Sequence, residues 1–126
     1  MALDTVTLAG RHVKLVALSR EHHDGLVRAA EDGELWKLWY TGVPKPEGMA
    51  AQIERCLGLQ KKGTMLPFTV IDPASQAIVG MTTYLNIDID SPRLEIGGTW
   101  YARRVQRTPV NTEAKLLLLA HAFDQL

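Results

Sequence analysis

Residues 94–115 read LEIGGTWYARRVQRTPVNTEAK, and their pattern predicts a strand, a cationic turn and the start of a helix, in that order. The turn contains Arg103, Arg104 and Arg107. The first turn of a helix leaves backbone N–H groups without partners and carries about half a positive charge from the aligned peptide dipoles. The segment therefore has the features of an anion-binding site that suits a diphosphate. A plain helix capped by Asn111, with the arginines exposed to solvent, is the alternative.

The same segment resembles the acyl-CoA-binding motif of the GNAT superfamily of N-acetyltransferases, in its RimJ/RimL-like branch. The branch pattern is W-Y-x-x-x-x-Q-R-T-x-x-N-T-E-A-K, which this chain matches with Trp100, Tyr101, Gln106, Arg107, Thr108, Asn111, Thr112, Glu113, Ala114 and Lys115. The wider superfamily has glycines at the positions of Pro109 and Asn111, and a proline cannot donate a backbone N–H to phosphate. The resemblance implies acetyl-CoA as cosubstrate, held by Thr99, Trp100, Tyr101, Val105, Gln106, Arg107, Thr108, Asn111 and Thr112.

The order of the upstream elements extends this resemblance over most of the chain. Apolar periodicity, turn residues and caps predict a strand at 13–18, a helix after Ser19, a short aromatic helical piece at 34–40, a helix from Pro46 to about Gly63, a hairpin of strands 66–71 and 77–85, a turn at 88–92 and a fourth strand from Arg93. This order is similar to the first two-thirds of the GNAT fold. The resemblance implies an α/β fold with a mixed, mostly antiparallel sheet flanked by helices.

Composition limits the other classes of function. A chain of 126 residues with 46% hydrophobic and 22% charged residues predicts a single globular domain, residues 1–126. Its 14 basic and 14 acidic side chains cancel, so no overall charge attracts nucleic acid or an anionic membrane. Because no signal peptide or long apolar span is recognised, we expect a cytoplasmic protein. Cys56 is expected in the core of a helix rather than as a nucleophile.

The last helix is apolar on nearly every face, which predicts burial on several sides. Its apolar residues are Leu116, Leu117, Leu118, Leu119, Ala120, Ala122, Phe123 and Leu126. GNAT domains continue beyond this helix with a parallel strand, a helix and a hairpin. We therefore expect a fold that lacks this C-terminal portion, and a chain that forms a homodimer through its fourth strand and last helix.

Glu95 is the candidate general base, because it lies on the fourth strand and alternation points it opposite to Leu94 and Ile96. A solvated or ion-paired surface residue is the alternative. Gly97-Gly98 predicts a bulge in this strand, and the resemblance implies that the bulge turns a backbone N–H toward the thioester. The residues after the bulge would contact the pantetheine arm through their main chains, although Trp100 and Tyr101 are equally typical of a core. The family's general acid lies in the portion that is not expected here.

Other catalytic chemistries are not supported by the sequence. The four histidines lack the spacing of metal ligands, no serine lies in a G-x-S-x-G motif, and no P-loop lysine is present, so we expect no metal. By resemblance, an acceptor pocket would be lined by an aromatic cluster and the loop after it, namely Trp36, Trp39, Tyr40, Val43 and Pro44. An aromatic cluster at helical spacing is also typical of a core.

The resemblance implies an N-acetyltransferase that transfers an acetyl group from acetyl-CoA to a primary amine. The acceptor would be a protein N-terminus or a small amine such as a polyamine or an aminoglycoside. A non-catalytic CoA-binding or assembly module, or an inactive fragment of such an enzyme, are the alternatives.

Overall fold

The computed structural model describes residues 3–38 and 42–125. Within these ranges five strands form one antiparallel sheet, in which each strand pairs with the next along the chain. The strands are β1 (Leu8–Ala9), β2 (Lys14–Ala17), β3 (Leu66–Ile71), β4 (Ile78–Asp88) and β5 (Arg93–Tyr101). The helices are α1 (His23–Glu31), α2 (Met49–Lys62) and α3 (Pro109–Gln125). The α/β class is confirmed, whereas the predictions for Trp39, Tyr40 and Leu126 fall outside the described residues.

Hydrophobic cores lie on both faces of the sheet, because side chains alternate along β3 and β4. On one face, called the α3 side, Phe68 and Tyr84 pack with Leu118 of α3. Their rings meet edge to face with centroids 5.7 Å apart, and the Tyr84 hydroxyl donates to the Leu118 carbonyl. The other face, called the α2 side, packs Met81 against α1 and α2. Cys56 lies in this second core, where burial raises the pKa of its thiol, so its predicted structural role is confirmed.

The start of the first helical segment is held by a reciprocal cap. The Ser19 hydroxyl accepts the N–H of Glu21, and the His22 Nδ1 atom accepts the N–H of Ser19 at 3.1 Å. The same Nδ1 atom lies 2.7 Å from the Thr69 hydroxyl of β3, which therefore acts as the donor. Partial burial lowers the pKa of His22 below its usual range, which favours the neutral ring that these acceptor roles require.

The second helical segment begins and ends as its sequence predicts. Pro46 opens a short 3-10 turn, Pro46–Gly48, that leads into α2. Met49, Ile53 and Cys56 are the buried residues of α2. The helix stops at Gly63, whose φ of 84° is accessible to glycine at little cost.

The carboxylate of Glu113 connects α3 to the turn before β2. Its Oε1 atom accepts the backbone N–H of His12 at 2.6 Å and that of Val13 at 3.0 Å. Gly10 packs against this carboxylate so closely that an added Cβ would overlap it. One side chain of the matched motif therefore joins the start of α3 to the turn before β2.

One face of α3 is buried and the opposite face is apolar and exposed. Val110, Ala114 and Leu118 face the sheet. On the other side, Leu116 is 61% exposed, Leu119 46% and Phe123 84%. Within the described residues the sheet covers only one side of the helix, so the burial predicted for its other sides is not provided by this part of the chain.

No helix within residues 3–38 and 42–125 is long and apolar enough to cross a membrane.

One strand and one turn differ from the sequence predictions. The strand β1 was not predicted, because two residues carry too little periodicity to be recognised. The predicted turn at 88–92 starts later, since β4 continues to Asp88, which pairs with Arg93 beyond a register shift.

We expect Glu113→Ala to lower the free energy of unfolding by about 1–3 kcal/mol, because two backbone N–H groups lose a charged acceptor. Glu113→Gln keeps one acceptor oxygen and should cost less. Urea denaturation at neutral pH measures both changes. Lys115→Ala, an exposed position on the same helix, is the matched control and should change stability by no more than about 0.5 kcal/mol. Equal effects of the Glu113→Ala and Lys115→Ala substitutions would contradict this role of the carboxylate.

Candidate active site

The outer strand β5 is bulged at Gly98, as the sequence predicts. Pairing with β4 shifts register between Met81, which opposes Trp100, and Thr83, which opposes Gly97. Gly98 has a φ of 56°, a left-handed conformation that glycine adopts at little cost. Beyond the bulge the two strands approach closely, since a Cβ at Gly80 would overlap the Trp100 carbonyl oxygen. The bulge therefore divides β5 into two stretches, each of which pairs with β4.

A cavity of about 590 Å³ opens beside this bulge on the α2 side of the sheet. Its walls come from α2, from β4 and β5, and from the loop before α2. Fourteen residues line it: Gly42, Val43, Gln52, Arg55, Cys56, Leu59, Met65, Met81, Thr83, Leu85, Asn86, Gly98, Thr99 and Trp100. This volume lies in the range of small-molecule sites, and the lining combines apolar and polar side chains.

A second hollow of about 210 Å³ continues from the first toward the cationic turn. The two share Val43, Thr99 and Trp100, and the second also reaches Tyr101 and Gln106. The predicted binding residues Thr99, Trp100, Tyr101 and Gln106 therefore line one hollow.

Glu95 lies outside the cavity lining, in a neighbouring hollow that it shares with Asn86, Arg93 and Leu94. It pairs with Leu85 across the β4–β5 ladder, and directly opposed residues share a face, so its side chain is on the α2 side. The carboxylate is exposed, and its Oε2 atom accepts the side-chain amide of Asn86 at 3.2 Å. Asn86 also lines the cavity, so it connects the carboxylate to the cavity wall. The predicted alternation of Leu94, Glu95 and Ile96 is confirmed by their burial.

The turn between β5 and α3 is held by its own polar side chains. The Gln106 amide donates to the Tyr101 carbonyl at 3.0 Å, and the Thr108 hydroxyl donates to the Val105 carbonyl at 2.5 Å. Arg107, between them, has a φ of 63° and an exposed side chain. Gln106 and Thr108 therefore shape the turn, and Arg107 is the side chain left to face a ligand.

The alternative in which Asn111 caps α3 is wrong. The helix starts at Pro109, two residues earlier, because a proline suits the first helical position and loses no hydrogen bond there. Thr108 occupies the cap position, with its hydroxyl 3.4 Å from the Val110 nitrogen. Asn111 therefore lies inside the first turn, and its Oδ1 atom is buried without a partner among the described residues.

The three arginines do not act as one positive cluster. Arg104 forms an ion pair with Asp32 at 3.2 Å, and its backbone N–H donates to the same carboxylate at 3.0 Å. Arg103 donates its backbone N–H to the Asp32 carbonyl and packs against Gly33. The local charge at the turn is therefore lower than the sequence suggests, because Asp32 compensates one arginine.

The remaining predicted residues divide between core and surface. Tyr101 and Val105 pack against the α3-side core, and burial raises the pKa of Tyr101 to about 12. Trp36 and Trp100 pack against the α2-side core, where Trp100 also borders both hollows. Thr112 is exposed on α3. The core interpretation of the aromatics is thus confirmed for Trp36 and Tyr101, whereas Trp100 belongs to the core and to the cavity wall.

Asn86 and Arg55 are two of the cavity residues that were not identified from the sequence. Asn86 has a φ of 50°, a conformation in which asparagine is enriched, so its unusual backbone gave a weak local signal. Arg55 follows Gln52 by three positions on α2, a spacing that places both on one helix face. No group of three metal-binding side chains occurs within the described residues.

A family model for the Acetyltransferase (GNAT) domain matches residues 12–126. No curated protein matches the chain. The fold is similar to that of a GCN5-related N-acetyltransferase from Brucella melitensis, with 26% identity and a TM-score of 0.80. The alignment covers 98% of this chain and 57% of the Brucella protein, so this chain spans less than two-thirds of that relative.

Two further solved structures share the fold at lower identity. The acetyl transferase from Salmonella typhimurium that modifies the N-terminal serine of ribosomal protein L7/L12 has 14% identity and a TM-score of 0.80, over 95% of this chain and 69% of that one. The microcin C7 self-immunity acetyltransferase MccE, solved with acetyl-CoA and AMP, has 16% identity and a TM-score of 0.76, over 92% of this chain and 65% of that one.

Proposed function

We propose a function from the premise that this chain belongs to the GNAT acetyltransferase family, whose domain model matches residues 12–126. The chain transfers an acetyl group from acetyl-CoA to a primary amine. The observation that carries this proposal is the bulge at Gly98, because a cavity for an acceptor opens there beside the strand that leads to the anion-binding turn.

The cofactor binds at the turn through its diphosphate. The start of α3 supplies backbone N–H groups, including that of Asn111, together with the positive end of the helix dipole, whereas the Val110 N–H already donates to the Thr108 hydroxyl. Arg107 adds a cationic side chain that makes no ion pair with any described residue. Gln106 and Thr108 keep the turn in the required conformation, and Val105 and Thr112 flank the diphosphate.

The pantetheine arm runs along the outer edge of β5. This edge has no neighbouring strand among the described residues, so outward-facing main-chain groups between Thr99 and Tyr101 are available as hydrogen-bond partners, apart from the Tyr101 carbonyl, which accepts the Gln106 amide. The arm leads the thioester to the bulge at Gly98. A backbone N–H at the bulge then polarises the thioester carbonyl as negative charge develops on its oxygen.

The acceptor amine reaches the thioester from the cavity. Its lone pair forms the new C–N bond, the C–S bond breaks, and the CoA thiolate leaves and takes up a proton. Glu95 accepts the proton that the amine loses, directly or through a water molecule, with Asn86 orienting its carboxylate. The acceptor is a protein N-terminus or a small amine, and the L7/L12-modifying relative is an example of the first kind.

The exposed apolar stripe of α3 and the part of the β5 edge that precedes the bulge are the surfaces of a homodimer, so Thr99 to Tyr101 stay open to the pantetheine arm. Each would expose apolar area or unpaired backbone groups in a monomer, and one two-fold contact covers both. The stripe consists of Leu116, Leu119 and Phe123.

Acetylation itself is tested by thiol release from acetyl-CoA, with and without candidate amines, together with calorimetric CoA binding. Amine-dependent thiol release supports the enzyme. CoA binding without thiol release would indicate a non-catalytic CoA-binding module, and the absence of both would indicate an inactive chain.

Arg107→Glu should weaken CoA binding by more than about fivefold in Kd, which exceeds the ~1 kcal/mol of an exposed ion pair. The reason is that a cation beside the diphosphate becomes an anion. Calorimetry measures the change, and Lys61→Glu on exposed α2 surface serves as a charge-matched control. If both variants bind CoA with wild-type affinity, the diphosphate binds elsewhere.

Glu95→Gln should lower the acetylation rate most at low pH, where the protonated acceptor depends on a base, and leave CoA affinity nearly unchanged. A pH–rate profile measures this effect. Asp90→Asn removes an exposed carboxylate from the turn after β4 and should leave the profile unaltered. A wild-type profile for Glu95→Gln would remove Glu95 from the mechanism.

Light scattering on dilute protein should give the mass of a dimer. Replacing Leu116 and Phe123 by glutamine should shift the mass toward a monomer, because the apolar stripe is lost. Lys115→Gln, on the same exposed side of α3, should not. A wild-type monomer without dye-accessible apolar surface would contradict the dimer.

A further inference from the structure

Arg55 is the charged residue in the lining of the larger cavity, whose other described lining residues are apolar or neutral. The helix α2 places Gln52, Arg55, Cys56 and Leu59 along the cavity, at the spacing of one helical face. An anionic group that entered this cavity would therefore meet a positive charge and no lining carboxylate.

The guanidinium of Arg55 is positioned but not neutralised. Its Nε atom donates to the Gln52 side-chain oxygen at 3.2 Å. No ion pair joins Arg55 to any carboxylate among the described residues. Because Gln52 occupies Nε, the two terminal nitrogens stay available for a partner.

The field of this charge reaches the cavity wall. Burial raises the pKa of the Cys56 thiol, and the neighbouring Arg55 opposes that rise by favouring the thiolate. An arginine fork matches the two oxygens of a carboxylate and binds them with two parallel hydrogen bonds. Because Arg55 is exposed, solvent screens part of its charge, and the strength of such a contact comes from the two parallel hydrogen bonds.

We propose that Arg55 binds a carboxylate of the acceptor, so the preferred acceptors are amino acids or other amines that also carry a carboxylate. This inference rests on the proposed acetyl transfer and specifies its substrate class. The amine lies at the Gly98 and Asn86 side of the cavity, near Glu95, and the carboxylate lies toward α2. Arg55 is therefore a specificity-determining residue, and Gln52 is its positioning residue.

The test compares acids with their primary amides as acceptors for the full 126-residue chain. Glycine, β-alanine, γ-aminobutyrate and δ-aminovalerate vary the distance between amine and carboxylate. At least one acid should have a kcat/KM about 10- to 100-fold above that of its amide, as expected for hydrogen bonds to a charged group. Arg55→Gln should abolish this preference, because the kcat/KM of the acid falls to about that of its amide.

Two further variants separate charge from shape. Arg55→Lys keeps the charge without the fork and should retain part of the preference. Lys61→Gln removes an exposed charge from the same helix, outside the cavity lining, and should retain all of it. Comparing each variant with wild type cancels the intrinsic difference in reactivity between an acid and its amide. Equal use of acids and amides, or a preference that persists in Arg55→Gln, would overturn the proposal.

A measurement of acceptor binding tests the role of Arg55 independently of catalysis. If no amine is acetylated, the proposed transfer fails, but ligand-observed NMR with γ-aminobutyrate and its amide in the presence of CoA still reports on Arg55. Selective binding of the acid by the wild type and its loss in Arg55→Gln would support the carboxylate site. Equal binding of acid and amide, or of the acid by both proteins, would overturn it.

Discussion

The contact on which the proposed cofactor site most depends is the pair of hydrogen bonds that the Glu113 carboxylate accepts from His12 and Val13. They join the first turns of α3 to the strand region at the far side of the sheet. Val110, Ala114 and Leu118 then bury the same helix against β3 and β4. Because α3 is held at its start, the turn before it has a defined position at the end of β5. A helix start that moved freely would present its N–H groups to no particular ligand.

Local patterns predicted most of the fold. The strand 66–71, the helix that begins after Pro46 and ends before Gly63, and the bulge at Gly98 all follow from residues close together in the sequence.

The contacts that were missed join distant residues. Glu113 bonds to His12 across 101 positions and Arg104 to Asp32 across 72, and neither pairing has a local sequence signal. The cap of α3 was misplaced because Thr108 and Asn111 both suit a cap, and only the preference of Pro109 for the first helical position decides between them.

The residues of the candidate site show the same contrast between local patterns and long-range contacts. Thr99, Trp100 and Gln106 were predicted from one continuous segment. They line one hollow because this segment is itself a strand followed by a turn. The opposite wall comes from α2 and β4, which lie earlier in the chain. Arg55 and Asn86 enter the site only because the antiparallel sheet carries α2 across its face and pairs Leu85 with Glu95. A motif therefore identifies the proposed cofactor side of this fold, whereas the proposed acceptor side depends on tertiary packing.

The central claim is that the start of α3 is the diphosphate site, and backbone amide chemical shifts measured during a CoA titration test it most directly. The account predicts the largest shifts at Arg107, Val110, Asn111 and Thr112, with smaller shifts along Thr99 to Tyr101. Adenosine 3′-phosphate 5′-diphosphate keeps the 5′-diphosphate of CoA but lacks the pantetheine arm, so it should shift the start of α3 and leave the shifts of β5 near their free values. Shifts confined to another surface, or none at saturating CoA, would contradict the account.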